Sequence, residues 1–161
     1  MTSTTEEWTA QGEALFHHKR YAQAIHCFRR AKANFEENVA NAYYLRQQAR
    51  KTSGREYKHA HILAAQAFEL CAEASRQRAA DYDLRAADCY VLAGDCGAAA
   101  KAFLRAKKFT ESAQNFRKAA MFDEAVEVIK NNRNCIPVGV SMQIMTVSKL
   151  FYLRGSDANV E

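Results

Sequence analysis

Proline and glycine are both scarce in this chain, and long apolar runs are missing. The sequence has one proline, Pro137, and six glycines among 161 residues. Because these two residue types interrupt helices, their scarcity favours helix, and no β-hairpin pattern competes with it. No run is apolar and long enough to span a bilayer, and the polar, acidic start MTSTTEEWTAQGEALF is unlike a secretory signal. We therefore expect an all-α protein that acts without a membrane.

Cysteine pairs at metal-binding spacing are also missing. An odd number of scattered cysteines argues against a disulfide framework or a structural zinc site. Free thiols inside helices behave as small apolar residues, so we expect buried, reduced cysteines and an intracellular setting, cytoplasmic or nuclear. The five cysteines are Cys27, Cys71, Cys89, Cys96 and Cys135.

Motifs of catalysis are missing as well. The chain has no glycine-rich phosphate loop, no serine–histidine–aspartate order and no paired-carboxylate motif. His59 and His61 are two residues apart, so on a helix they point in different directions and cannot bind one metal together. We expect no enzyme activity, no cofactor and no metal site.

What the sequence does contain is a recurring motif: an aromatic residue, a small residue three places later, Phe four places after that, and Ala after three more. It occurs as YAQAIHCFRRA from Tyr21 and as FTESAQNFRKA from Phe109, and looser versions start at His61, Cys96 and Phe122. These intervals put the motif positions on one stripe of an α-helix. The small residue allows a neighbouring helix to approach, and the Phe fills the gap one turn further on. Each copy therefore predicts an amphipathic helix packed on another helix.

Partner helices are predicted between the copies, which gives about nine helices in all. Residues 36–51 and 56–76 predict a longer pair that is broken at TSGRE, and Gly94 is a candidate C-cap. From Cys96 onward the motif returns every thirteen residues, which leaves room for one short helix per copy. The last helix is expected from about Val138 to Leu153, after the break at Pro137.

Six residues at characteristic spacing resemble the signature of the tetratricopeptide repeat, a helix–turn–helix unit of about 34 residues. The match is good over residues 6–34 and 82–106, partial over 107–131 and poor over 35–77. The segment GDCGAAAKAFLRAKKFTESAQNFRKAAMFDEAVEVI is also similar to repeat segments of very large helicase-like proteins, which would make the chain part of a longer polypeptide. The signature residues are Trp8, Gly12, Tyr21, Ala24, Phe28 and Ala31.

The resemblance implies a right-handed α-solenoid of about four helical hairpins plus a C-terminal helix. The repeat domain would cover residues 1–134, and residues 135–161 would form a capping or docking helix and tail. This tail carries apolar residues on more than one stripe, so it either caps the last repeat or docks on another surface, including a second copy of the chain.

The resemblance also implies an interaction module, because such repeats bind peptides or protein surfaces in a concave groove lined by their first helices. The subgroup that grips a C-terminal carboxylate uses Lys and Asn there, so Thr9 and Glu13 argue against that activity. The implied groove residues are Glu6, Thr9, Glu13, Phe16 or His17 from the first repeat, and Asp81, Arg85 and Asp88 from the third.

Positive charge concentrates between residues 101 and 118. This window has six basic residues and one acidic residue, a surplus equal to the whole chain's net charge of +5. Lys101, Arg105 and Lys108 would share a helix face if that helix continued to residue 108, and Arg117 and Lys118 would come from the next helix. The pattern is typical of solvated helix faces, and it also suits an acidic protein partner or a nucleic-acid backbone.

The sequence thus predicts a non-catalytic scaffold or adaptor that binds a protein or peptide on the concave face of helical repeats. The basic window would be its charged contact with an acidic partner. The alternative is an accessory module of a nucleic-acid enzyme, whose basic patch touches the phosphate backbone.

Overall fold

The computed structural model describes residues 4–158, and these residues form helices joined by turns. The described residues contain no strand, which confirms the all-α class. Residues 1–3 and the end of the predicted tail, 159–161, lie outside the described part. The helices are α1 (Thr5–His17), α2 (Tyr21–Arg30), α3 (Asn34–Ala49), α4 (Arg55–Ala74), α5 (Ala79–Ala93), α6 (Cys96–Arg105), α7 (Phe109–Lys118), α8 (Phe122–Asn131) and α9 (Val138–Ala158), with a 3₁₀ turn at Arg133–Cys135.

The chain divides into two compact units, Met1–Gly94 and Asp95–Glu161. Within the first unit each helix from α1 to α4 packs on the next helix along the chain. Within the second unit α6 to α9 do the same, and α9 also packs on α7. The division falls inside the second predicted repeat copy, residues 82–106. The expected boundary between residues 134 and 135 lies inside the second unit, and it stays a prediction.

The recurring motif forms the buried helix contacts that its spacing predicts. In α7 the small residue is Ser112, whose hydroxyl donates a hydrogen bond to the Ala100 carbonyl of α6 at 2.8 Å. The Phe positions are buried as well, at Phe28, Phe68, Phe103 and Phe116. The small residues are all completely buried: Ala24, Ala64, Ala99, Ser112 and Ala125.

Gly12 allows α1 and α2 to approach each other closely. A Cβ atom at this position would lie 2.7 Å from Cε1 of Phe28, closer than real Cβ atoms pack. Phe28 forms the core of this region with Ala24 and Ala40. The glycine and the Phe of the motif therefore fit together as a pair.

Four turns between consecutive helices share one hydrogen-bond pattern. After α2, the N–H of Lys32 donates to the Arg29 carbonyl, and the N–H of Ala33 donates to the Phe28 carbonyl. This is the Schellman motif, which needs a left-handed residue that is usually glycine. Here the left-handed residue is never glycine: it is Lys19 after α1, Lys32 after α2, Lys107 after α6 and Ala120 after α7.

The helix α9 covers the core of the second unit with one side only. Ile144 is buried against Phe116 and Val128, whereas Met142 and Leu153 are more than half exposed. The helix continues to Ala158, beyond its predicted end at Leu153. No helix among the described residues, α9 included, combines the length and apolar character needed to cross a membrane.

The cysteines are free thiols, and three of the five follow the prediction of burial. Burial raises the pKa of the Cys71 thiol and of the Cys89 thiol to about 11 each. Cys27 is buried too, but Cys96 is half-buried and Cys135 is exposed.

Candidate partner-binding groove

A cavity of about 430 Å³ opens within the first unit, between side chains of α1, α2, α3 and α5. We call it the groove. Its volume is in the range of cavities that hold small ligands or anchoring side chains. Its lining combines apolar and aromatic residues (Phe16, Phe28, Phe35, Val39 and Tyr82) with titratable ones (Glu13, His17, Glu36 and Arg78).

Aromatic contacts link α1, α3 and α5 beside the groove. Phe16 of α1 meets Tyr43 of α3 edge to face, with ring centroids 5.1 Å apart. Phe35 of α3 meets Tyr82 of α5 in the same way, at 6.2 Å. Such pairs contribute about 0.5–1.5 kcal/mol beyond the area that they bury. The wall of the groove is therefore held by side chains of α1, α3 and α5 themselves.

Two carboxylates reach the groove from different helices. Glu13 comes from α1 and is exposed, and Glu36 comes from α3 and is half-buried. Neither carboxylate forms an ion pair or a side-chain hydrogen bond with any of the residues that the structure describes. The adjacent Glu37, by contrast, pairs with Arg29 at 2.9 Å. Glu13 and Glu36 are therefore available to a group from outside the chain.

Arg78 stands at the start of α5 and is engaged within the groove wall. Its side chain hydrogen-bonds Tyr82, which by itself would lower the pKa of that phenol. Burial of Tyr82 has the larger effect, so its pKa is raised. Arg78 thus has a hydrogen-bond partner within the groove wall, unlike the two carboxylates.

Of the predicted residues on α1, the structure brings Glu13, Phe16 and His17 to the groove. Glu6 and Thr9 lie nearer the start of the helix and do not line it. The hydroxyl of Thr9 donates to the Thr5 carbonyl at 2.9 Å, a bond within the helix.

The predicted residues on α5, Arg85 and Asp88, do not line the groove either, and Arg85 lies near Tyr43. Arg85 donates to the Asp81 carbonyl at 3.1 Å, and its guanidinium lies 5.7 Å from the Tyr43 ring centroid. Arg46 lies over the same ring at 4.7 Å. Partial burial raises the pKa of Asp88, and the charges of Arg46 and Arg85 oppose that rise.

The basic window does not form the single helix face that its spacing suggested. Lys107 has φ +60°, and this left-handed residue ends α6 at Arg105. Lys108 is the N-cap residue of α7. The condition under which Lys101, Arg105 and Lys108 would share a helix face is therefore not met, because α6 ends at Arg105.

Four of the window's exposed cations lie at the ends of α7, and the other two, Lys101 and Arg105, are exposed on α6. This helix has ten residues, so it is about 15 Å long. Lys107 and Lys108 precede it, whereas Arg117 and Lys118 occupy its last turn. Arg105 lies in the last turn of α6, and cations there suit the negative end of the helix dipole. Helix stability thus explains part of the charge that the window carries.

Sequence reasoning missed the side of the groove that α3 and α5 supply. Phe35, Glu36 and Val39 fall in residues 35–77, where the repeat signature matches poorly. A signal was present, because Glu36, Val39 and Tyr43 follow each other at intervals of three and four and so share a face of α3.

No family model matches the chain, and no curated protein or solved structure gives a significant match to it. Within residues 4–158, no three His, Cys, Asp or Glu side chains group in a way that could hold a metal ion. The groove is thus the feature from which a function can be inferred.

Proposed function

We propose that this protein is a non-catalytic protein–protein interaction scaffold that holds a peptide segment of its partner in the groove. The observation that carries this proposal is the groove itself, which combines aromatic walls with two carboxylates that have no partner among the described residues. Concave sites of this composition suit an anchoring side chain together with the backbone beside it.

The architecture that we propose is a tetratricopeptide-like right-handed α-solenoid with about four hairpins and a C-terminal helix. Consecutive packing in the first unit supports it, as do the side-chain contacts of α3 with α1 and α5. In such arrays the first helix of each repeat lines the concave surface. The contact of Gly12 with Phe28 gives two residues of the repeat signature a shared packing role.

Selection of short random peptides on the wild-type protein tests the proposal. Phe35→Ala removes an aromatic wall of the groove, and Leu63→Ala is the matched control because Leu63 is exposed on α4 and does not line the groove. We expect the selected peptides to bind Phe35→Ala at least about tenfold more weakly, a loss of about 1.4 kcal/mol, and Leu63→Ala as well as wild type. Circular dichroism checks that both variants fold.

Peptides that bind both variants equally would place the interaction elsewhere and sink the groove proposal. A selection that yields no binding peptide would count against a peptide-binding scaffold altogether.

A second candidate function is an accessory module of a nucleic-acid enzyme, and the exposed cations around α7 favour it. Gel shifts with duplex DNA and with an RNA hairpin, over a range of salt, test this alternative. Binding to phosphates should fall steeply as salt rises, and Lys101→Glu with Lys108→Glu should weaken it. Unchanged binding in this double variant would exclude the contact. If the partner at these residues is instead an acidic protein, its binding should weaken in the same double variant and at high salt, whereas the DNA and RNA should not bind.

A further inference from the structure

We propose that the groove receives a cationic side chain, arginine or lysine, between Glu13 and Glu36; this inference rests on the proposed function and specifies the chemistry of the partner peptide. The two carboxylates come from different helices and line the same cavity. A guanidinium or ammonium group between them would make charge-assisted hydrogen bonds, which are stronger than neutral ones.

The position of Glu13 is not explained by the stability of its helix. Acids stabilise the first turn of a helix and cations the last. Glu36 lies in the first turn of α3, where its charge is favourable. Glu13 lies four residues before the last residue of α1, His17, where a negative charge gains nothing from the helix dipole. Since no described residue pairs with it, a partner's cation gives this carboxylate a role.

The aromatic side chains of the groove suit the rest of a long cationic side chain. Phe35 and Tyr82 contact each other edge to face, and Phe16 lines the same cavity from α1. The methylene stem of arginine or lysine packs on such rings while its charged end reaches polar groups. Arginine over an aromatic face adds a cation–π attraction.

The charges of the lining disfavour the other classes of side chain. Leaving His17 aside, the lining has the two carboxylates against the one positive charge of Arg78, which already hydrogen-bonds Tyr82. An acidic side chain would be repelled by both carboxylates. An apolar side chain would displace the water around Glu13 and Glu36. It could not replace the hydrogen bonds of that water to the carboxylates, so its binding would be costly.

Fluorescence anisotropy with three labelled peptides tests the inference. Each peptide alternates leucine with one other residue, which is arginine, serine or glutamate. At physiological salt we expect the leucine–arginine peptide to bind wild type at least about tenfold more tightly than the leucine–serine peptide. Glu13→Gln with Glu36→Gln should abolish that preference. Glu56→Gln with Glu73→Gln, which removes two exposed charges from α4 away from the groove, should keep it.

Equal weakening in the groove variant and the α4 variant would show general charge attraction and would overturn the inference. Tighter binding of the leucine–glutamate peptide would overturn it too, and would point to Arg78 as the binding group. If the leucine–serine or leucine–glutamate peptide is preferred and depends on Phe35, the groove function stands and the cationic partner is wrong. If none of the three binds below about 1 mM, which corresponds to about −4 kcal/mol, both proposals fail.

Discussion

Replacing Gly12 by alanine tests how closely α1 and α2 pack. The new Cβ would lie 2.7 Å from Cε1 and 2.9 Å from Cδ1 of Phe28, whereas ordinary contact begins at 3.4 Å. The ring would have to retreat by roughly 0.7 Å, the difference between 2.7 and 3.4 Å. Phe28 is 3 % exposed and packs with Ala24 and Ala40, which are completely buried, so its ring can retreat only toward the groove that it lines.

The expected size of the effect follows from two opposing contributions. Overpacking a core costs about 1–3 kcal/mol, and alanine regains about 1 kcal/mol over glycine inside a helix. We therefore expect Gly12→Ala to lower the free energy of unfolding by about 1 kcal/mol. Phe28→Leu removes the ring carbons that clash, so the double variant should lose about 1 kcal/mol less than the sum of the single losses.

Urea unfolding followed by far-UV circular dichroism measures these changes. Gly139→Ala is the control, because no atom lies within 4 Å of a Cβ built at that glycine. It should leave stability unchanged or slightly higher. The close packing of α1 on α2 is refuted if Gly12→Ala is at least as stable as wild type, or if the losses in the double variant simply add.

Three further substitutions probe the turns and the buried polar groups. Ala120→Gly should raise the free energy of unfolding by about 1 kcal/mol, because Ala120 has φ +58° and this conformation is strained for residues other than glycine. Ser112→Ala should lower it by about 1 kcal/mol, through loss of the hydrogen bond to the Ala100 carbonyl. His61→Leu should reduce the loss of stability in acid. Burial, and then the charge of Arg50, lowers the pKa of His61. Wild type therefore has the full contribution of the neutral imidazole above the ordinary pKa of about 6.5, and this contribution is lost as pH falls through the lowered pKa.

Urea titrations at several pH values check all three. An unchanged or lower stability of Ala120→Gly would contradict the left-handed turn, and an unchanged Ser112→Ala would contradict the hydrogen bond between α6 and α7. Parallel pH profiles of His61→Leu and wild type would contradict a buried, neutral imidazole. Neither ring nitrogen of His61 has a hydrogen-bond partner among the described residues. At pH 7 the variant should therefore lose no hydrogen-bond energy, and its free energy of unfolding should change only through the different packing of leucine.

The helices and their buried stripes could be predicted because periodicity records them directly. The motif intervals identified the buried face of α2, α6, α7 and α8 before any contact was visible. Gly94 ends α5 as predicted, in the left-handed conformation at φ +77°. The helices are interrupted at Pro137 as predicted, and α9 starts directly after it at Val138. These features depend on residues close together in the sequence, so they could be predicted without knowing how the helices pack.

The turns could not be predicted in the same way. Lys19, Lys32, Lys107 and Ala120 adopt a conformation that sequence reasoning assigns to glycine. Tertiary packing holds them there, because the Phe or Leu one turn before each left-handed residue is anchored between helices. For this reason the sequence left open whether α6 continues to Lys108, which is in fact the N-cap residue of α7.

The side of the groove that α1 supplies could be predicted, and the side that α3 and α5 supply could not. Glu13 and His17 followed from the resemblance of α1 to a repeat helix. Phe35, Glu36 and Tyr82 did not, because the face that α3 turns toward α1 and α5 depends on how three helices pack together.

The most direct test of the binding groove is an NMR titration of the isotope-labelled protein with the leucine–arginine peptide. It maps the change in chemical shift of each backbone amide. The account predicts the largest shifts at Glu13, Phe35, Glu36 and Tyr82, and small shifts throughout residues 101–118. The largest shifts within 101–118, or shifts spread evenly over the exposed acids of both units, would contradict a binding groove between α1, α3 and α5.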